Sequence, residues 1–82
     1  MWYRLSIEEA ARVQLRALPD SYRRNIGFRL SLLQNDLAGD VLKLNASEEK
    51  YRLRVGRFRV LFELQDDLVL VYAVKDRKEV YD

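Results

Sequence analysis

The 82-residue sequence contains no cysteine and no histidine. Without cysteine, neither a disulfide framework nor a thiolate metal site can form. Without histidine, the chain lacks the commonest metal ligand and the usual general base near neutral pH. Only three glycines are present, and they form no glycine-rich phosphate-binding motif. Any catalysis must therefore use arginine, lysine, tyrosine, serine or carboxylate side chains.

Long apolar runs and a signal sequence are also missing. The apolar stretches are far too short to cross a bilayer. Residues 1–4 lack the basic start and apolar segment of a signal peptide. An apolar content of 49% is too high for a disordered chain and sufficient for one core. We therefore expect residues 1–82 to form a single cytoplasmic domain that does not bind membranes.

A cationic segment beginning at Lys50 carries five cations within 11 residues, and no acidic residue follows before Glu63. Cationic and apolar residues alternate in its first half. Because successive side chains of a strand point to opposite faces, Arg52 and Arg54 are predicted to share one surface row with Lys50. The next strand is predicted to bring Arg59 into the same patch. Such a patch attracts phosphates, with which arginine pairs in a planar fork.

A solvated sheet face is the alternative interpretation of this cationic segment, because edge strands carry cations that prevent aggregation. The apolar residues of the segment point the other way in either case. Tyr51, Leu53 and Val55 are predicted to enter the core.

Two helices are predicted in the first half of the chain. A short strand over residues 2–5 precedes the first helix, which is expected to begin at Ser6 because Ser6 and Glu9 have capping-box spacing. Pro19 ends this helix and suits the first position of the next one. An apolar stripe of period 3.6 predicts that the second helix covers residues 20–37.

The second half of the chain is predicted to be mostly strand. Residues 41–49 are expected to form a loop that Leu42 or Leu44 attaches to the core. Strands are predicted over residues 50–55, 57–65 and 68–74. These strands form sequential antiparallel hairpins, so the fold class is α+β, with an N-terminal helical hairpin packed on a small antiparallel β-sheet.

Three segments of the sequence also form a recognisable pattern. Residues 42–44 read Leu-Lys-Leu, residues 51–62 read Tyr-Arg-Leu-Arg-Val-Gly-Arg-Phe-Arg-Val-Leu-Phe, and residues 77–81 read Arg-Lys-Glu-Val-Tyr. Together with the helical bend at Leu18 and Pro19, this pattern resembles the RelE/ParE superfamily of bacterial and archaeal toxins. The resemblance covers nearly the whole chain. It implies the fold given above and a cognate, RelB-like antitoxin as partner.

The two branches of this superfamily differ in target. RelE-like toxins enter the ribosomal A site and cleave mRNA there, whereas ParE-like toxins poison DNA gyrase. The chain resembles the RelE branch more because ParE-like proteins usually do not keep the arginines together with Tyr81. Asp76 departs from the pattern, since many relatives have histidine there. Because of this aspartate, a protein with the toxin fold but weak catalytic activity is a further alternative.

The resemblance to RelE implies a ribosome-dependent mRNA endoribonuclease without cofactor or metal. The 2′-hydroxyl of the RNA attacks the adjacent phosphate, and the protein positions the RNA and stabilises charge. Tyr81 is expected either to accept the hydroxyl proton or to stack on a base. The implied catalytic residues are Arg52, Arg54, Arg59, Arg77 and Tyr81. The implied RNA-binding residues are Lys43, Lys50, Arg57, Lys75 and Lys78.

Overall fold

The computed structural model describes residues 1–80, so the predicted site residue Tyr81 lies outside the described part of the chain. Two helices are followed by a group of strands, which confirms the predicted α+β class. The elements in chain order are β1 Arg4–Ile7, α1 Glu9–Arg16, α2 Asp20–Leu33, β2 Val41–Lys43, β3 Lys50–Val55, β4 Phe58–Gln65, β5 Leu68–Asp76 and α3 Arg77–Val80.

Five strands form one sheet in the order β1-β5-β4-β3-β2. β3, β4 and β5 are sequential antiparallel hairpins, as predicted. The sheet is nevertheless not wholly antiparallel, because β1 pairs parallel with β5. The chain from α1 to β4 lies between β1 and β5. This long connection allows the two strands to pair in parallel, which a short hairpin turn cannot do.

Helices α1 and α2 cover one face of the sheet and form the core with it. Ile26 and Leu33 of α2 meet Leu53 of β3 and Phe62 of β4 in one cluster of buried side chains. The Tyr51 ring stacks on the Phe62 ring with a centroid distance of 5.4 Å. The strand residues between these apolar positions point to the opposite face of the sheet. The cations of β3 lie on that second face.

The N-terminal boundaries differ from the prediction. Ser6 lies within β1, opposite Leu70 of β5, so the predicted capping box does not form. Helix α1 begins at Glu9 and has no side-chain hydrogen bond at its N-cap. The strand continues to Ile7 because alternate side chains, at Leu5 and Ile7, pack against the core. Tertiary packing therefore outweighs the local capping signal.

Helix α2 ends at Leu33, four residues earlier than predicted. Asp36 and Leu37 have φ angles of 57° and 58°, in the left-handed region that ends a helix. Leu37 still packs against the core from this turn.

Strand β2 occupies part of the segment predicted to be a loop. Val41 pairs with Leu53, and β2 thereby adds an edge strand beside β3. Val41 packs against the core, whereas Leu42 and Leu44 are exposed. The expectation that one of these leucines attaches the segment is therefore wrong. A three-residue strand is too short for its alternation to be recognised in the sequence.

The helices of residues 1–80 include none with the length and apolar character needed to cross a membrane.

Candidate active site

Arg54 and Arg59 face each other across the β3–β4 hairpin. The turn between the strands begins at Gly56, whose φ of 58° is favourable for glycine because other residues are strained there. Arg59 also lies opposite Lys75 of β5. Three cations thus form one row across three strands. Like charges placed opposite each other are destabilising in a sheet, so this row favours bound anions.

The Arg59 side chain is the most constrained cation of this row. Only 5% of the residue is exposed. Its Nη1 atom donates to the backbone oxygens of Gly56 and Phe58, at 2.9 and 3.0 Å. The hairpin turn therefore holds the guanidinium in one orientation. A group fixed in this way needs little reorganisation when it meets a developing charge.

An open cleft of about 460 Å³ lies beside this end of the hairpin and is called the arginine cleft below. Helix α2, the segment before β2, the β3–β4 hairpin and the start of α3 form its walls. Among the described residues that line it, four are arginines and one is a carboxylate. The lining residues are Asn25, Arg29, Asp40, Leu53, Arg54, Val55, Gly56, Arg59 and Arg77.

Asp40 is the single carboxylate among the described residues of the arginine cleft. Its Oδ2 accepts a hydrogen bond from Arg54 Nε at 2.6 Å. Its backbone oxygen accepts a second one from Arg54 N at 2.9 Å. Both side chains are about half exposed, with 55% for Arg54 and 47% for Asp40, so solvent screens this ion pair.

Arg77 enters the arginine cleft as the first residue of α3. Its backbone N–H donates to the oxygen of Arg57 at 2.8 Å, which attaches α3 to the hairpin turn. The Arg77 side chain is exposed and forms no ion pair with residues 1–80. Its guanidinium is therefore accessible from the cleft, which Arg77 lines together with Arg54 and Arg59.

Asp76 does not line the arginine cleft, although the sequence places it beside Arg77. Its Oδ1 accepts from Lys78 N at 3.2 Å, and its Oδ2 accepts from Arg57 Nε at 2.8 Å. These bonds hold the pKa of the Asp76 carboxyl below its usual value, the backbone N–H of Lys78 contributing most. Asp76 thus caps α3 and binds Arg57, and its charge is compensated away from the cleft.

Arg52 occupies the predicted face of β3 but lies outside the arginine cleft. It is opposite Leu61 of β4, not opposite another cation. Its Nη1 atom is buried and has no hydrogen-bond partner among residues 1–80. The structure therefore separates Arg52 from Arg54 and Arg59, with which the sequence groups it.

The cations predicted to bind RNA are spread over a wider surface. Four of them have a carboxylate of the same chain within 4 Å, and Lys78 has none among the described residues. The pairs are Lys43 with Glu49 at 3.2 Å, Lys50 with Glu48 at 3.6 Å, Arg57 with Asp76, and Lys75 with Glu79 at 3.9 Å. Hydrogen bonds from Tyr51 and then Lys43 also hold the pKa of Glu49 below its usual value.

Three polar lining residues were not predicted from the sequence as site residues. Asn25 and Arg29 are four positions apart on α2, so they lie on one face of that helix. The sequence shows this spacing, but it does not show that α2 packs beside the β3–β4 turn. Asp40 follows Gly39, whose φ of 131° directs the chain toward β3. The sequence contains no separate signal for this approach.

Known proteins share both sequence and fold with this chain. Toxin RelE3 of Methanocaldococcus jannaschii is 32% identical over an alignment of 73 residues, and the match covers 83% of the chain and 83% of that protein. The chain belongs to the RelE family of toxins. No family model matches the sequence. The similarity to Toxin RelE3 confirms the resemblance of the sequence motifs to RelE proteins.

Solved RelE structures have the same fold. The toxin of the archaeal RelE–RelB complex from Pyrococcus horikoshii OT3 matches with a TM-score of 0.81 at 26% identity, over 94% of this chain and 97% of that one. A chain of the RelB–RelE complex from Methanococcus jannaschii matches with a TM-score of 0.77 at 26% identity, over 93% and 94%. The isolated E. coli RelE toxin, at 23% identity and a TM-score of 0.75 over 96% and 90%, shares the fold.

Proposed function

We propose that this RelE-family chain is the toxin of a toxin–antitoxin pair and cleaves mRNA on the ribosome. The observation that supports the proposal is the convergence of Arg54, Arg59 and Arg77 on one open cleft. The 2′-hydroxyl of the RNA attacks the adjacent phosphorus, and the products are a 2′,3′-cyclic phosphate and a 5′-hydroxyl. The substrate supplies the nucleophile, so the protein contributes position and charge.

The transition state of this reaction carries about two negative charges on the phosphate oxygens. Arg59 lines the cleft, and backbone oxygens of the turn hold its guanidinium in one orientation, so its charge is fixed beside the place where those charges develop. Arg54 and Arg77 extend into the cleft from two other elements and surround the same space. Guanidinium groups suit this task because their planar fork matches two oxygens of one phosphate.

Tyr81 belongs to the proposed site on the strength of the family pattern. It either accepts the 2′-hydroxyl proton or stacks on a base and orients it. Neutral tyrosine is a poor base, since its reference pKa is about 10. Such a site is slow on free RNA, and the ribosome supplies the substrate geometry.

The wider group of cations is proposed to bind the RNA of the ribosome and the message. These residues are Lys43, Lys50, Arg57, Lys75 and Lys78, together with Arg52 near the site. Lys43, Lys50 and Lys75 are paired with carboxylates that are more than half exposed, whereas Asp76, the partner of Arg57, is only 18% exposed. Exposed pairs of this kind contribute at most about 1 kcal/mol, so phosphates can replace the carboxylates at small cost.

An antitoxin is the proposed second partner. The toxins of Pyrococcus horikoshii and Methanococcus jannaschii were solved as complexes with RelB. By analogy, an acidic or amphipathic segment that folds on binding would cover the arginine cleft and silence the toxin.

Substitution of the cleft arginines tests the proposal. Arg59→Ala and Arg77→Ala are compared with Arg16→Ala, which removes the same charge from exposed helix α1. After induced expression, we expect wild type and Arg16→Ala to arrest growth and to cut messages within codons, as read by primer extension. The cleft variants lose both effects while their thermal melting shows a folded protein. Arg77→Ala is the safer variant for folding because Arg77 is exposed.

Three outcomes contradict the proposal. A fully toxic Arg59→Ala protein excludes the charge-stabilising role of the cleft. Gyrase-linked DNA breaks with intact messages indicate a ParE-like target, and the absence of both effects indicates an inactive module.

In the same assay, Tyr81→Phe keeps the ring and loses the hydroxyl. Unchanged cleavage by this variant excludes proton transfer by Tyr81 and leaves stacking.

A further inference from the structure

We propose that Asp40 is the general base that accepts the proton of the 2′-hydroxyl. The inference rests on the proposed nuclease function and assigns the step for which Tyr81 is poorly suited. Asp40 is the single carboxylate among the described residues that line the arginine cleft. A carboxylate placed among guanidinium groups repels a polyanionic substrate, so its presence there calls for a chemical role.

The first support is the way in which Asp40 is held. Oδ2 accepts from Arg54 Nε at 2.6 Å, and the backbone oxygen accepts from Arg54 N at 2.9 Å. Gly39 lets the chain pass so close to β3 that a Cβ at this position would lie 2.9 Å from Leu53 Cδ1. Side-chain and backbone contacts thus fix the carboxylate beside the guanidinium of Arg54.

The second support is the set of atoms that remain available. Oδ1 of Asp40 accepts no hydrogen bond from residues 1–80, and the terminal nitrogens of Arg54 donate none to them. Because Arg54 uses Nε for Asp40, its terminal nitrogens can bind a phosphate while the ion pair stays intact. Both side chains are about half exposed, so substrate can reach them.

These two groups match the two atoms that react. In a reactive conformer the 2′-oxygen and the phosphorus are about 3 to 3.5 Å apart, side by side on one nucleotide. The terminal nitrogens of Arg54 and Oδ1 of Asp40 likewise belong to one ion pair, which the Nε–Oδ2 hydrogen bond of 2.6 Å holds together. A phosphate held by Arg54 therefore brings its neighbouring 2′-hydroxyl toward Asp40.

The proposed step is balanced as follows. The O–H bond of the 2′-hydroxyl breaks, and its proton passes to Oδ1 of Asp40. The 2′-oxygen forms a bond to phosphorus, and the bond from phosphorus to the 5′-oxygen breaks. The departing 5′-oxygen takes a proton from water, and Asp40 later returns its proton to solvent. Arg54, Arg59 and Arg77 compensate the charge on the phosphate oxygens throughout.

Asp40→Asn provides the first test, because asparagine keeps the shape and removes the base. Single-turnover cleavage of an end-labelled message on programmed ribosomes is measured at saturating toxin, and binding of a short single-stranded RNA is measured separately. We expect cleavage to slow by at least about 100-fold, the low end of the range for a general base. RNA binding is expected to be unchanged or tighter, because a negative charge has left the cleft.

Chemical rescue separates a base from a purely structural residue. Asp40→Ala opens a space beside Arg54 that formate can enter, whereas Asp40→Asn fills it. We expect potassium formate, compared with potassium chloride at equal ionic strength, to accelerate cleavage by Asp40→Ala and to leave Asp40→Asn unchanged. A structural role for Asp40 would give no such difference, and thermal melting confirms that each variant is folded.

The outcomes distinguish this inference from the function on which it rests. If the wild-type protein cleaves no message, the proposed function itself is wrong. If the wild type cleaves and Asp40→Asn cleaves equally fast, only the role of Asp40 is refuted. Faster cleavage by Asp40→Asn would show that Asp40 restrains Arg54 as a counter-ion, and an absence of formate rescue in Asp40→Ala also overturns the assignment.

Discussion

The three glycines of this protein lie in three different backbone environments, which makes alanine substitution at each one a test of the fold. Gly39 has a φ of 131°, and a Cβ there would lie 2.9 Å from Leu53 Cδ1. Gly56 has a φ of 58°, and Gly27 lies within α2; a Cβ at either meets nothing within 4 Å. The structure therefore predicts a different effect of the same added methyl group at each position.

The largest loss of stability is expected for Gly39→Ala. The unfavourable φ costs about 1 to 3 kcal/mol. Leu53 is only 1% exposed, so it cannot move away freely, and the crowding adds about 1 to 3 kcal/mol. Restricting the unfolded chain offsets about 0.4 to 1 kcal/mol of this. The net destabilisation is about 1 to 6 kcal/mol, a large part of the stability of a small domain.

The other two glycines serve as matched controls. At Gly56 only the left-handed φ is unfavourable, so alanine is expected to destabilise by about 0.5 to 1.5 kcal/mol after the unfolded-state gain. At Gly27, inside a helix, alanine is expected to stabilise by about 0.5 to 1 kcal/mol because glycine is a poor helix former. From most to least stable, the expected order is therefore Gly27→Ala, wild type, Gly56→Ala and Gly39→Ala.

Urea denaturation followed by circular dichroism measures this order, and thermal melting checks it. For a domain of this size, about 1 kcal/mol corresponds to a melting shift of about 4 to 8 °C. Equal destabilisation by Gly39→Ala and Gly56→Ala would refute the close approach of residue 39 to Leu53. Destabilisation by Gly27→Ala would refute the exposed helical setting of residue 27.

Two further predictions concern charge. The pKa of Asp76 is lowered in the folded protein, first by the backbone N–H of Lys78 and then by Arg57. The ionised carboxylate therefore stabilises the fold at pH values above the pKa of the unfolded chain, and this stabilisation is lost as the pH falls through the pKa of the folded protein. The melting temperature of Asp76→Asn should therefore be lower than that of wild type near neutral pH, and the difference should shrink below about pH 4. A difference in melting temperature that grows in acid would contradict this cause. If Arg54, Arg59 and Arg77 each contact a phosphate, the logarithm of single-stranded RNA affinity falls with the logarithm of salt concentration with a slope of about −2. Fluorescence anisotropy should show that Arg77→Ala makes this slope smaller by about 0.7, whereas an equal slope in both proteins would exclude that contact.

The strands that carry the cleft arginines could be recognised from the sequence because their alternation is regular. Residues 50–55 were predicted to be a strand, and β3 has those bounds. The period of two also placed Arg54 and Arg59 on one face, and the register confirms it. β2 was missed because three residues are too few to show alternation, and the capping signal at Ser6 was outweighed by pairing with β5.

The composition of the sequence determined which chemistry is available, and its motifs determined the family. Without cysteine and histidine, only arginines, lysines, hydroxyls and carboxylates remain for a site. Which of them meet was decided by the tertiary structure alone. Asn25 and Arg29 reach the cleft because α2 packs beside the β3–β4 turn, and Asp40 reaches it because Gly39 lets the chain approach β3. Contacts between residues distant in the chain depend on the packing of whole elements, and no local pattern of residues encodes them.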